Sequence, residues 1–145
     1  MRILVLGFDG ASPILIERWI QDLPTIRLLR SKGIYGRTVP PIPAQTPVAW
    51  TTFMTGKNPG KHGVYDFMKV DRRTLRRRLV TYADLKVPAF WEFLAERGLK
   101  PVVVSVPFTY PPTALKIGRG CAVSGMLTPP DVNAFNPPSL RAEVE

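Results

Sequence analysis

The 145-residue sequence contains one cysteine, Cys121, and one histidine, His62, and each scarcity excludes a class of protein. A single cysteine cannot form an internal disulfide, and one of each residue cannot complete a Cys/His zinc cluster. Long apolar runs are also missing. Stretches such as Val102–Val104 fall far short of the roughly 20 residues that a membrane-crossing helix requires. The opening MRILVLGFDG has a brief apolar run without the longer apolar core and small-residue cleavage pattern of a secretory leader, so a cytoplasmic protein is expected. Acidic residues are few beside basic ones: 11 Asp and Glu against 20 Lys and Arg leave a net charge of +9. That excess admits anionic partners such as phosphate compounds, nucleic acid or membrane surfaces. With 45% hydrophobic and 21% charged residues the chain has the composition of a core-forming domain, not of a disordered segment. Proline is plentiful, at 16 residues, against a usual share of about 5%.

Residues Ile3 to Phe8 form a nearly continuous apolar run closed by Asp9-Gly10, the pattern of a buried parallel strand. Ser12-Pro13 then reads as an N-cap with proline at the first helical position. Leu23-Pro24 breaks that helix, and a second one ends at Gly33, expected as a left-handed C-terminal residue. A second strand is expected around Tyr35–Val39. The PPIPAQTP stretch, residues 40–47, is a rigid loop ahead of a short helix over Val48–Thr55 closed by Gly56. GKNPGKHG reads as a surface turn. Residues 65–82 alternate around the polar tip Asp71-Arg72-Arg73-Thr74 and read as a β-hairpin. Pro88 opens an amphipathic helix carrying Phe90, Trp91, Phe93 and Leu94, and Pro101–Val106 is the next buried strand. Alternating helices and strands predict an α/β chain with an open, mostly parallel sheet. Near the end, Asn136-Pro137-Pro138-Ser139 is a helix start with room for only a short helix after it, so the chain is expected to be interrupted there.

Asp9 stands at the carboxyl end of the first expected strand, where open α/β sheets bind their ligands. A carboxylate there suits a hard metal ion, and equally a turn-forming Asp-Gly pair. Thr46 precedes Pro47, which puts it at the N-cap of the following helix. A hydroxyl at the positive helix end favours a bound phosphate and, beside a metal, an alkoxide nucleophile. The same position also suits an ordinary capping threonine. Thr51, Thr52 and Thr55 lie inside or at the end of that helix and are poorer candidates.

The segments VLGFDGASP and PPIPAQTPVAWTTFMTGKNPGKHGVYDF, continued by KVPAFWEFLAERGLKPVVVSVPFTYPP and VSGMLTPP, resemble the alkaline phosphatase superfamily. The group they are most similar to is the type I phosphodiesterase/nucleotide pyrophosphatase family in its cytoplasmic prokaryotic form. The resemblance implies that Asp9 is a metal ligand and that Thr46 is both nucleophile and metal ligand. It also implies two divalent metal ions, zinc as a rule with manganese as the alternative, and a phosphothreonine intermediate. Ala49 stands where eukaryotic-type members carry an asparagine that holds a phosphoryl oxygen. The family's remaining ligands, an Asp…His pair and an Asp-His-Gly segment, have no counterpart after Thr46. His62 belongs to the HG segment and reads as structural.

GKNPGKH differs from a P-loop in its glycine spacing and in having His62 where Ser or Thr belongs. Cys121 reads as a buried or incidental thiol. Arg72, Arg73, Arg76, Arg77 and Arg78 place five guanidinium groups within seven residues. Such a run can neutralise phosphates of a nucleic acid, but it has no interleaved aromatics, and a solvated hairpin tip is the favoured reading. A third possibility is that the hairpin attracts an anionic substrate.

The expected fold is therefore the N-terminal part, residues 1–145, of an alkaline phosphatase-like α/β/α sandwich, truncated, with a basic hairpin insertion at about 65–82. The expected function is metal-dependent hydrolysis of phosphate mono- or diesters, with the two-metal site incomplete in these residues and the isolated chain inactive. The alternatives are a non-catalytic basic binding module or remnant, and a phosphoglycerate mutase-like or phosphonate-cleaving enzyme of the same superfamily. A phosphate-ester substrate is the expected partner, and no membrane partner is expected.

Overall fold

Proline falls in the first turn of each of the first four helices in the computed structural model, as its fixed φ and missing N–H favour. The structure describes residues 2–144 and divides into two units, one through Val39 and one from Pro40.

In the first unit Gly10 turns the chain at φ +73°. Ser12 then caps helix α1 (Pro13–Arg18), its hydroxyl accepting from the Ile14 N–H at 3.3 Å. Helix α2 (Pro24–Lys32) ends at Gly33, which is extended (φ −119°, ψ −164°) and not left-handed as expected. Glycine is needed there for a different reason: a Cβ would lie 2.9 Å from the Leu29 carbonyl that accepts the Gly33 N–H. The two strands expected in this unit are corrected. Residues 3–8 belong to no helix or ladder, and Ile3, Leu4, Leu6 and Phe8 are exposed. An apolar run predicts burial, but a strand also needs a neighbour to complete its hydrogen bonds. Residues 35–39 also form no strand, and the Tyr35 and Arg37 side chains reach residues of the helices. Tyr35 donates to Glu17 at 3.3 Å, Arg37 pairs with Glu17 at 2.9 Å, and Arg30 lies 4.3 Å over the Tyr35 ring.

The second unit opens with α3 (Thr46–Thr55), which buries Pro47, Val48, Thr51, Met54 and Thr55 and closes at left-handed Gly56 (φ +63°) as expected. The GKNPGKHG stretch is more ordered than a surface turn. Asn58 caps a short helix α4 (Pro59–His62), and His62 is fully buried. The expected hairpin is present: β1 (Met68–Val70) and β2 (Arg77–Leu79) pair antiparallel, with Lys69 opposite Arg78. A 3-10 turn at Tyr82–Asp84 leads to α5 (Phe90–Glu96), whose N-cap is Ala89, one residue beyond Pro88.

Strand β3 (Val102–Val106) runs parallel to β4 (Cys121–Ser124), and β5 (Phe135–Asn136) adds antiparallel to β4. The sheet order is β3-β4-β5, so the expected parallel sheet is present as one parallel pairing beside an antiparallel one. The burial expected of β3 holds on one face alone: Val103 is 4% exposed, whereas Val102 and Val104 are 67% and 59% exposed. An all-valine run conceals the two-residue alternation that distinguishes inward from outward positions. The core gathers Met54 from α3, Tyr82, Trp91 from α5, Val103, Phe108, Leu115 and Ala122. A short helix α6 (Arg141–Val144) follows β5, in the place where the sequence signals a helix start. The architecture is mixed α/β.

Candidate functional site

Asp9 lies in the first unit, exposed, at the turn that Gly10 makes after residues 3–8. Thr46 lies in the second unit and is half-buried. The structure corrects its helical position by one residue. Gln45, extended at φ −130° and ψ 152°, is the N-cap, and Thr46 is the first helical residue with Pro47 behind it. Proline is accepted at either of the first two helical positions, because neither N–H has an intrahelical acceptor. Thr46 therefore remains in the first turn, at the positive end of a ten-residue helix. Ala49 is half-buried one turn further on.

His62 is structural, as the sequence suggested. The Val64 N–H donates to its Nδ1 at 3.2 Å, and Nε2 lies 3.1 Å from the Thr52 hydroxyl. Because Nδ1 accepts, the ring proton of the neutral form sits on Nε2 and is donated to Thr52 Oγ1. His62 thus cannot take a proton from Thr52, and both ring nitrogens are engaged, so it offers no lone pair to a metal. Burial lowers its pKa, favouring this neutral form.

The arginine run is divided by its surroundings. Arg78 makes a two-pronged pair with Asp84, Nη1 to Oδ2 at 2.7 Å and Nη2 to Oδ1 at 2.5 Å. Lys69 donates to the same carboxylate at 2.9 Å, and the Thr81 N–H does so at 3.0 Å. Burial alone would raise the Asp84 pKa, but these donors outweigh it and hold the carboxyl well below the usual range. Sequence reasoning passed over Asp84, although Thr81-x-x-Asp84 has the form of a capping box. It also passed over a buried chain in which the Trp91 indole donates to Tyr82 Oη at 3.0 Å and Tyr82 donates to Glu92 at 2.5 Å. Burial first, and the Glu92 carboxylate second, raise the Tyr82 pKa. No spacing signal marks that chain, because its members come from a turn and a helix brought together by packing. Cys121 is half-buried in β4.

Among the described residues no group of three or more His, Cys, Asp or Glu side chains could hold a metal ion. No helix among the described residues is long and apolar enough to cross a membrane.

The chain is a mixed α/β protein with Asp9 after its first apolar segment and Thr46 in the first turn of a proline-started helix. The type I phosphodiesterase / nucleotide pyrophosphatase family model matches residues 3–140, and the chain belongs to that family. The match spans both Asp9 and Thr46. Membership points to phosphoester hydrolysis and phosphate-ester substrates, and the family is generally metal-dependent. No curated protein and no solved structure matches the chain significantly.

Proposed function

We propose that these residues are the N-terminal part of an alkaline phosphatase-like α/β/α domain that hydrolyses phosphate esters with Thr46 as its nucleophile. The observation that carries the reading is the position of Thr46, in the first turn of α3 and inside the family match. Thr46 Oγ attacks phosphorus in line with the ester oxygen. The Oγ–P bond forms as the P–O bond to the leaving alcohol breaks, and the alcohol departs with the proton. Water then cleaves the phosphothreonine, releasing phosphate and restoring the hydroxyl. The positive end of α3 favours the anionic phosphoryl group.

Two divalent ions, zinc or manganese, belong to this reading, with Asp9 and Thr46 as ligands and the other donors supplied from outside the described residues. The cytoplasm is the proposed location.

The test is to express the coding sequence with whatever follows Glu145 and to assay aryl phosphomonoesters, phosphodiesters and phosphonates with added zinc or manganese. An Asp…His pair and an Asp-His-Gly segment downstream, with ester hydrolysis that Thr46→Ala reduces by about a thousandfold or more, bear the proposal out. An immediate stop codon, or turnover that survives Thr46→Ala, overturns it.

A further inference from the structure

The β1–β2 hairpin has two unlike faces. Cross-strand partners share a face and neighbours along a strand alternate. Phe67 and Val80 at the root, followed by Lys69 and Arg78, face the body of the unit. Phe67 packs against the Phe108 ring at 5.7 Å, Val80 is buried, and the two cations close on Asp84. The outward face carries Met68 opposite Leu79 and Val70 opposite Arg77. These three apolar residues are 39%, 44% and 47% exposed in the order Met68, Leu79, Val70.

The tip is built rather than loose. The Asp71 carboxylate accepts from the N–H groups of Arg73 and Thr74 at 2.8 and 3.0 Å, and the Asp71 carbonyl accepts from Leu75 N–H at 2.8 Å. Leu75 is thereby held at φ +55°, a conformation that non-glycine residues rarely adopt, with its side chain 77% exposed. Arg72, Arg73 and Arg76 are also exposed. With Arg77 on the outward face they give the hairpin four exposed guanidinium groups outside the Asp84 cluster, beside the exposed apolar side chains of Met68, Leu79, Val70 and Leu75.

We infer that this outer face and tip dock on the anionic lipid surface of a membrane, Leu75 and the other exposed apolar side chains entering the headgroup boundary while the arginines meet acidic headgroups. This departs from the expectation of no membrane partner. The combination of exposed apolar side chains and arginines is what an interfacial anchor requires. A nucleic acid would use the arginines but reward neither Leu75 nor Met68, and the run offers no aromatic ring for base stacking. A second copy of the chain would bring like-charged hairpins together.

The experiment is co-sedimentation of the whole chain with vesicles of phosphatidylcholine alone and of phosphatidylcholine with phosphatidylserine. The wild type should sediment with the serine-lipid vesicles at low salt, less so as salt rises, and not with phosphatidylcholine alone. Replacing Arg72, Arg73, Arg76 and Arg77 together by serine should weaken binding by about tenfold or more. Met68→Ser with Leu75→Ser should also weaken it, and Leu75→Asp at the exposed tip gives a third variant that leaves strand pairing alone. Circular dichroism checks that each variant stays folded. Absence of wild-type binding to serine-lipid vesicles overturns the inference. So does vesicle binding that survives both Leu75 changes, and so does a DNA oligonucleotide that binds wild type and the Leu75 variants alike and displaces the vesicles.

Discussion

His62 is the single histidine of the chain, and its burial favours the neutral form. Protonation would place a hydrogen on Nδ1, facing the Val64 N–H that now donates to it, at a site with no solvent contact. The Lys86 backbone N–H donates to the His62 carbonyl at 3.2 Å, and burial of the ring is what disfavours a positive charge there. The folded pKa lies below the ordinary 6.5, so the unfolded chain binds more protons at acidic pH. The stabilisation is complete above about pH 6.5 and is lost as pH falls toward the folded value. Thermal unfolding followed across this range should show the midpoint falling with acidification, and in His62→Gln that acid-dependent component should be missing. At this scale the sequence was informative about kind but not about contact. HG read as structural, and the Val64 N–H that Nδ1 accepts lies only two residues on, but the Thr52 hydroxyl at Nε2 comes from α3 and reaches the ring only through folding. Asp84, read off Thr81-x-x-Asp84, was within reach of a local rule; the Tyr82–Glu92–Trp91 chain was not.

Local signals placed the elements well wherever a single segment decides its own geometry. Ser12-Pro13, Gly56 and the Asp71 tip each appear in the structure as turns or caps, because capping and turn chemistry act within a few residues. Signals that depend on a partner did less well. Ile3–Phe8 has the composition of a buried strand but no ladder, and β3 is buried on one face alone. The parallel β3–β4 pair instead rests on close backbone approach. A Cβ on Gly120 would run into the Pro101 carbonyl oxygen, and lie 2.9 Å from the Ile117 oxygen, at the point where Cys121 N–H reaches back to Pro101 at 3.0 Å. Both obstacles are backbone and cannot swing aside. Gly120→Ala should therefore destabilise by several kcal/mol, about 3 or more, as overpacking with backbone displacement does. Gly56→Ala, whose Cβ would meet nothing within 4 Å, carries only the left-handed penalty of about 1 kcal/mol. Urea unfolding of the two variants beside the wild type measures the contrast, and equal losses would show that close approach at Gly120 is not what holds the pairing.

For the molecule as a whole, family membership and donor supply point in different directions. The chain belongs to a family of phosphoester hydrolases, yet among its described residues no three metal-binding side chains come together. Given zinc or manganese, the 145 residues alone should hydrolyse an aryl phosphodiester at close to the background rate, followed as release of the aryl alcohol. Turnover comparable with a complete enzyme would mean that the donors are present after all. The net charge of +9 is also unevenly placed, with five of its positive groups in one run. Of these Arg78 is paired with Asp84, and the other four are exposed along the hairpin and its tip. Composition alone allowed phosphate compounds, nucleic acid and membranes equally. The pairing register adds which strand side chains share the outer face of the hairpin, Met68, Leu79, Val70 and Arg77.

The sequence by itself determined the family, helices α1 to α3 with proline in their first turns, and the hairpin, since each rests on residues close together along the chain. Only the tertiary structure decided which valines of β3 face inward, that His62 is sealed in one tautomer, and that one carboxylate gathers Lys69 and Arg78. Those outcomes depend on packing and on groups from different elements meeting at hydrogen-bond distance, such as His62 with Thr52 and Asp84 with Lys69, where hydrogen bonding and desolvation act.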